Sequence, residues 1–286
     1  MSGSRGSRLA GVLLALAMAV GLSLSVLRLP TQAPTPRSVP VTAAPRGGER
    51  VVFEMADPAG DDRGPGTYRY PQDPSFLPGT FDLRRFRVSV DATAVHFRLT
   101  FGAVPNPWSA PEGFGYQRVD IYLRTGAGKG RLTPARPGAN VRFAPGKGWH
   151  YLVRCAPWGG SRLEPAGVPE NGADPPGREA YPVRVVARRE GGDSIHLIVP
   201  RAAVGCPGKR WRYYVLVGGY DAFGPDEYRP VTAQGGRWVF GGGRDDNTDP
   251  NVLDLLAPRF SLRSQNRQLR TPPDGGLPVV YPAGGR

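Results

Sequence analysis

The amino-acid sequence predicts an all-β fold, an antiparallel β-sandwich, standing behind an N-terminal transmembrane anchor. Short apolar and polar alternations recur about every 10–15 residues, separated by turns rich in Gly and Pro, and no long helical period interrupts them. The clearest is VHFRLTF at 95–101: Val95, Phe97, Leu99 and Phe101 fall on one face, and His96, Arg98 and Thr100 on the other. Ahead of all the strands, residues 9–27 carry no charge.

The composition agrees with a loop-rich β protein carrying disordered flanks. Among 286 residues there are 40 Gly and 32 Pro, yet also 11 Phe, 11 Tyr and 5 Trp to fill a core. The formal net charge of +13 is unevenly placed. Residues 1–47 hold five Arg and no acid, and residues 257–286 hold five Arg and one Asp, which leaves about +4 for the span between. A nucleic-acid binder concentrates its basic stripe on the folded part. This distribution argues against a nucleic-acid partner.

Taken in order, residues 1–28 read as a cytoplasmic tip and a signal anchor. The run at 9–27 would span about 28 Å as a helix, close to a bilayer core. Arg5 and Arg8 favour that short end inside. A cleaved signal peptide is the alternative, but its best site, Thr31-Gln32-Ala33, is followed by Pro34. Either way, the chain beyond residue 30 is exported. Residues 29–48 form a Pro-rich, extended spacer.

The sandwich is expected over 49–257. Its first strand is 51–55. Residues 81–90 place Phe86, Val88 and Val90 on one face and pair through a turn at 91–94 with 95–101, as a hairpin. Val119, Ile121 and Leu123 repeat the pattern. Segments 141–143 and 149–155 are strand candidates between long loops. Alternation returns at 183–187 and 195–199, a helical turn is expected at 200–205, and 211–217 is a well-buried strand. Residues 238–240 are expected as the last strand, 252–256 as a short capping helix, and 258–286 as a disordered basic tail.

The stretch of most chemical interest is DPAGDDRGPGTYRYP at 57–71. Asp57, Asp61 and Asp62 lie within six positions, among Gly and Pro that enforce a tight loop. Hard cations such as calcium take such oxygen clusters. The same composition also suits a solvated acidic turn. A second acidic stretch at 241–258 contains Asp245, Asp246, Asp249 and Asp254. It either folds back near the first or caps a helix N-terminus. Tyr68, Tyr70, Trp108, Trp149 and Trp158 are the candidates for exposed aromatics. Trp108 and Trp158 sit in loops, NPW and APWGG, where a flat ring could stack on a sugar or plug an end of the sandwich. His96, His150 and His196 have no partners at metal-ligand or catalytic spacing and read as ordinary surface residues. There is no nucleophile motif, phosphate loop or zinc motif, although spacing alone does not exclude a carboxylate pair of the glycosidase type. Cys155 and Cys206 are compatible with a disulfide in an exported protein, or with two separate buried thiols; a disulfide is expected.

DPAGDDRGPGTYRYP, FLPGTFDLRRFRV at 76–88, NPW at 106–108 and GGGRDDNTDPNVLDLLAP at 241–258 together resemble the C-terminal module of glucodextranase, over about residues 51–257. Related modules accompany bacterial amylopullulanases and surface-layer-associated proteins. The resemblance implies a sandwich related to DOMON domains and family-9 carbohydrate-binding modules, linked to sugar binding and cell-surface attachment, with a structural calcium. By motif match it implies Asp57, Asp61, Asp62 and Asp82 as metal ligands; in departure from the family pattern, no glycoside hydrolase domain is expected beside the module, so hydrolytic activity does not carry over. The expectation is a non-catalytic, membrane-anchored module on the outer face of a bacterial cell, which binds an α-glucan or envelope polysaccharide through Trp108, Trp158, Tyr68 and Tyr70. A structural or protein-interaction module of the cell envelope is the alternative.

Overall fold

The computed structural model describes residues 48–135, 138–167, 183–224, 227–244, 248–259 and 261–284. The expected anchor and nearly all of the spacer lie outside them. Among the described residues no helix is long and apolar enough to cross a membrane.

Thirteen strands and two short helices appear in the described residues. β1 (Arg50–Ala56), β2 (Leu83–Val90), β3 (Ala94–Phe101), β9 (Val186–Glu190) and β10 (Ser194–Pro200) form one sheet in the order β1-β2-β3-β10-β9. β4 (Gln117–Arg124), β6 (Tyr151–Cys155), β7 (Arg162–Pro165), β8 (Val183–Arg184), β11 (Arg212–Gly219) and β12 (Asp254–Leu255) form the other, in the order β12-β11-β4-β6-β7-β8. Every pairing in these two sheets is antiparallel. β5 (Arg142–Phe143) and β13 (Val279–Val280) make a small parallel pair. The helices are single turns, α1 (Arg201–Val204) and α2 (Gln265–Gln268).

The two sheets meet in one core, as the alternations require. Phe86, Val88, Phe97, Leu99, Ile195 and Leu197 come from the first sheet, and Val119, Ile121, Leu123, Val215 and Val217 from the second. Each such side chain, fully buried, contributes about 1.5–3 kcal/mol.

The second sheet is also covered on its outer face. Tyr122, Tyr214 and Leu216 point away from the shared core into a second cluster with Phe143, Trp149, Leu269 and Val280. This cover corrects the expectation of a disordered tail. Residues 261–284 fold back because an apolar sheet face is there to receive them. The Gln265 amide donates to the carbonyls of Gly64 (3.2 Å) and Leu253 (3.3 Å), and β13 lies along β5. Two further expectations change. The capping helix at 252–256 is instead strand β12, held edge-on to β11, and 238–240 contributes only a bridge from Phe240 to Val231.

Candidate functional site

Five aspartates gather where the end of β1, the start of β2 and β12 meet. Asp57 follows β1, Asp82 precedes β2 and Asp254 opens β12. Asp61 and Asp62 come from the loop between β1 and β2, whose tight path uses left-handed backbone at Gly60 and Gly64. At Gly64 a Cβ would stand 2.3 Å from the ring of Tyr68, so the turn and the tyrosine exclude any larger residue.

The carboxylates are partly satisfied. Ala257 N–H donates to Asp57 Oδ1 at 2.8 Å, Leu83 N–H to Asp254 Oδ2 at 2.7 Å, and Gly60 N–H to Asp82 Oδ2 at 2.9 Å. Arg84 also pairs with Asp82, at 2.6 Å. The Tyr70 hydroxyl donates to Asp62. Asp57 Oδ2, Asp61 Oδ1 and Asp82 Oδ1 are buried with no hydrogen-bond partner. Oxygens of Asp57, Asp61 and Asp254 lie within 4.8 Å of one another. Burial, reinforced by Asp61 and Asp82, pushes Asp57 up to about 8 despite the Ala257 bond. Burial and Asp82 push Asp61 up to about 6. Asp254 is driven well above the carboxylate range by burial and then by Asp57. The group therefore favours an added positive charge, whether proton or metal ion.

Of the four residues expected as ligands, the structure brings Asp57 and Asp61 together and adds Asp254 from the second acidic stretch. Asp62 and Asp82 stand beside them, engaged by Tyr70 and Arg84. Asp249 is separately engaged, receiving the backbone N–H of Arg244. Asp245 and Asp246 lie outside the described residues.

The aromatic candidates divide. Tyr68 and Tyr70 are not exposed platforms, which corrects the expectation. Tyr68 is buried and donates to Pro250 O at 2.8 Å, and Tyr70 packs edge-on against Phe81 and Phe240. Trp149 lies in the outer core. Trp108 and Trp158 are the exposed ones, at 45% and 48%. Trp108 sits on a turn locked by Asn106, whose side chain accepts from Ala110 N–H (2.8 Å) and donates to Ala110 O (2.9 Å). Its ring packs on Tyr116 (4.7 Å between centroids) and faces Trp238 (6.2 Å), which is 38% exposed. The sequence predicts a strand at 238–240, but Trp238 lies outside any strand. Trp158 has φ of 58°, and Glu112 accepts from its N–H (3.0 Å) and from Gly159 N–H (2.7 Å).

A profile of one protein family matches residues 52–280, and that family is described as the C-terminal binding-module, SLH-like, of glucodextranase. The chain belongs to this family. No curated protein matches it. The glucodextranase-module match takes in both acidic stretches, the tryptophan turns and most of the folded tail, and the family is one of binding modules rather than catalytic domains.

Two features of this module escaped the sequence. His96 and His196 do face away from the sandwich core, but they are only 6% and 2% exposed, because Glu49, Asp91, Arg98 and Glu190 surround them. Alternation reveals that a side chain leaves the core, not that a polar layer covers it. The two cysteines are also separate and free. Cys155 on β6 points into the shared core, while Cys206 lies exposed beyond α1, so the expected disulfide is absent.

Proposed function

We propose that this module binds a polysaccharide, an α-glucan or envelope glycan, without cleaving it, and that Trp108 and Trp238 form the platform. The observation that carries the reading is the pair of half-exposed indoles seated on buried Tyr116 and Phe76. Rings fixed from below lose little freedom when a sugar stacks on them. Beside Phe76 a cleft lined by Asp62, Arg63, Arg69 and Tyr70 offers polar groups for sugar hydroxyls. The left-handed residues Ser109 and Trp158 mark the neighbouring turns as held in unfavourable backbone. Trp158 is a further contact for a longer chain.

The acidic centre, in this reading, holds a structural calcium through Asp57, Asp61 and Asp254. Oxygen-only donors and the buried carboxylate oxygens without partners fit a hard cation. Its effect would be to fasten β1, β2 and β12 at one end. The apolar run at 9–27 would tether the module to a membrane, which places glycan within reach. The family's SLH-like description favours attachment to the cell envelope as the second reading.

Affinity electrophoresis and calorimetry of the full chain against α-glucans and purified cell wall provide the test. Binding is expected, modest in strength, and lost in the Trp108→Ala/Trp238→Ala variant. If no glycan binds, the envelope-attachment reading replaces this one; if the double variant binds unchanged, the platform is wrongly placed.

A further inference from the structure

The β1–β2 ladder runs between two polar centres. Asp57 and Asp82 lie at one end, and Glu49 and Asp91 at the other, since Arg50 pairs with Val90 and Ala56 with Arg85. The second centre contains the two buried histidines. His96 Nδ1 and His196 Nε2 face each other at 3.0 Å. His96 Nε2 hydrogen-bonds Asp91 Oδ2 at 3.1 Å, whereas His196 Nδ1 lies 3.2 Å from Glu190 Oε1 without making a hydrogen bond.

A carboxylate beside a neutral imidazole accepts that nitrogen's N–H. Asp91 therefore accepts the His96 Nε2 proton and leaves the Nδ1 lone pair facing His196 Nε2 across 3.0 Å. His196 Nε2 either donates its own proton to that lone pair or, as the Nδ1–H tautomer, offers a second lone pair to a cation between them.

We infer that His96 Nδ1, His196 Nε2 and the Glu49 carboxylate form a binding site for a transition-metal dication of the zinc type. Ligand atoms of the three residues lie within 4.8 Å of one another, with Glu49 Oε1 3.7 Å from His96 Nδ1. Two nitrogens on one tetrahedral zinc stand about 3.3 Å apart, given zinc–nitrogen bonds of about 2.0–2.1 Å, so the imidazoles need move only slightly. Asp91 acts as the outer carboxylate that fixes the orientation of a metal-bound His96, and Glu190 stands 3.2 Å from His196 Nδ1. Glu49, Asp91 and Glu190 carry three negative charges. Arg98 offsets one, bonding Glu49 at 2.5 and 2.9 Å and Glu190 at 2.7 Å. The remainder matches a dication. Arg188, cross-strand from His196, is exposed and therefore screened. Glu49 and Glu190, each about a third exposed, line the route for the ion. The donors differ in kind from the oxygen-only aspartate centre, so the two sites should select different metals.

The test uses the full chain, free of affinity tags, extracted in detergent and stripped with chelator, then titrated with zinc and with cobalt. One zinc per chain is expected, along with the intense visible spectrum of tetrahedral cobalt. Asp91→Asn should weaken zinc about 10–100-fold, and His96→Gln or His196→Gln should weaken it further. Asp57→Asn should leave it unchanged. No zinc binding by the wild-type chain, or equal binding by the histidine variants, overturns the site. Should those variants lose their circular dichroism, Glu49→Gln at the rim decides instead: weaker zinc supports the site and unchanged zinc overturns it.

Discussion

Asp57 and Asp120 are both buried aspartates in the same module, and their environments treat the charge in opposite ways. Asp120, in the middle of β4, lies between Arg118 (3.5 Å) and Arg154 (3.8 Å), both fully buried, and accepts the Tyr122 hydroxyl at 3.1 Å. Burial opposes its ionisation, but the two guanidiniums outweigh it and hold Asp120 below the ordinary carboxylate range. Asp57 suffers the same burial among other carboxylates and moves the other way. Burial alone therefore does not fix a carboxyl's state; the sign of its neighbours does. One aspartate sits in an ion network whose guanidiniums offset its charge. The other belongs to a site with negative charge to spare.

The largest test of this contrast is Asp120→Ala. It removes the carboxylate that lies between two buried guanidiniums, and breaking such a group by removing one partner costs about 3–5 kcal/mol. Denaturant unfolding measures it. A loss below about 1 kcal/mol would mean that water or other acceptors already solvate Arg118 and Arg154, and the contrast would fail.

A smaller effect is expected at Asp57, and it depends on conditions. Without metal, Asp57 binds its proton more tightly folded than unfolded. Stability is then fully present below the unfolded value of 3.8 and falls as pH rises towards about 8. Asp120 works in the opposite sense, its contribution being lost only as pH falls below the ordinary carboxylate range. Calcium should displace the proton and flatten the decline above 3.8. At a hundredfold excess over its dissociation constant it adds about 2.7 kcal/mol, or roughly 5–10 °C in Tm. Asp57→Asn should abolish that gain while leaving the metal-free protein at neutral pH no less stable. Equal melting in calcium and in chelator at pH 8 would refute a cation at this centre.

Much of the sandwich was legible because one face of each strand obeys a single rule. Phe97, Ile121 and Leu197 had to go inward, and they do. The acidic loop was legible as a concentration of oxygen donors, and Asp254 as part of a similar stretch. The illegible parts depended on second layers. Tyr122 and Tyr214 alternate away from the core just as a solvated face would, and it is Phe143, Trp149 and the returning tail that bury them. Leu269 and Val280 are isolated apolar residues in a stretch of Arg, Pro and Gly, too sparse to announce a folded segment. His96 and His196 are 100 residues apart in sequence, and β3 and β10 bring them to a cross-strand contact that no local spacing encodes. Tyr68 and Tyr70 lay in a loop and so read as exposed, although the loop packs them inward as its own support.

The cysteines extend the contrast between burial and neighbouring charge to its smallest expected effect. Cys155 has no cation to favour its thiolate; burial raises its pKa, and the Asp120 and Glu112 carboxylates add to the rise. Cys206 is exposed and belongs to no core. A thiol-specific reagent at pH 8 should therefore label one cysteine in the native chain and two after denaturation. Cys206→Ser should remove the native label and shift stability by no more than about 0.5 kcal/mol, as for a surface substitution. Cys155→Ser places a hydroxyl in the shared core, and about 1–3 kcal/mol should be lost if it finds no acceptor there. Native labelling of both thiols would mean that the β6 region opens readily, and the buried Asp120 network on the neighbouring strand would then be accessible to water as well. Labelling of neither in the unreduced, denatured chain would restore the disulfide and overturn the separate placement of Cys155 on β6 and Cys206 beyond α1.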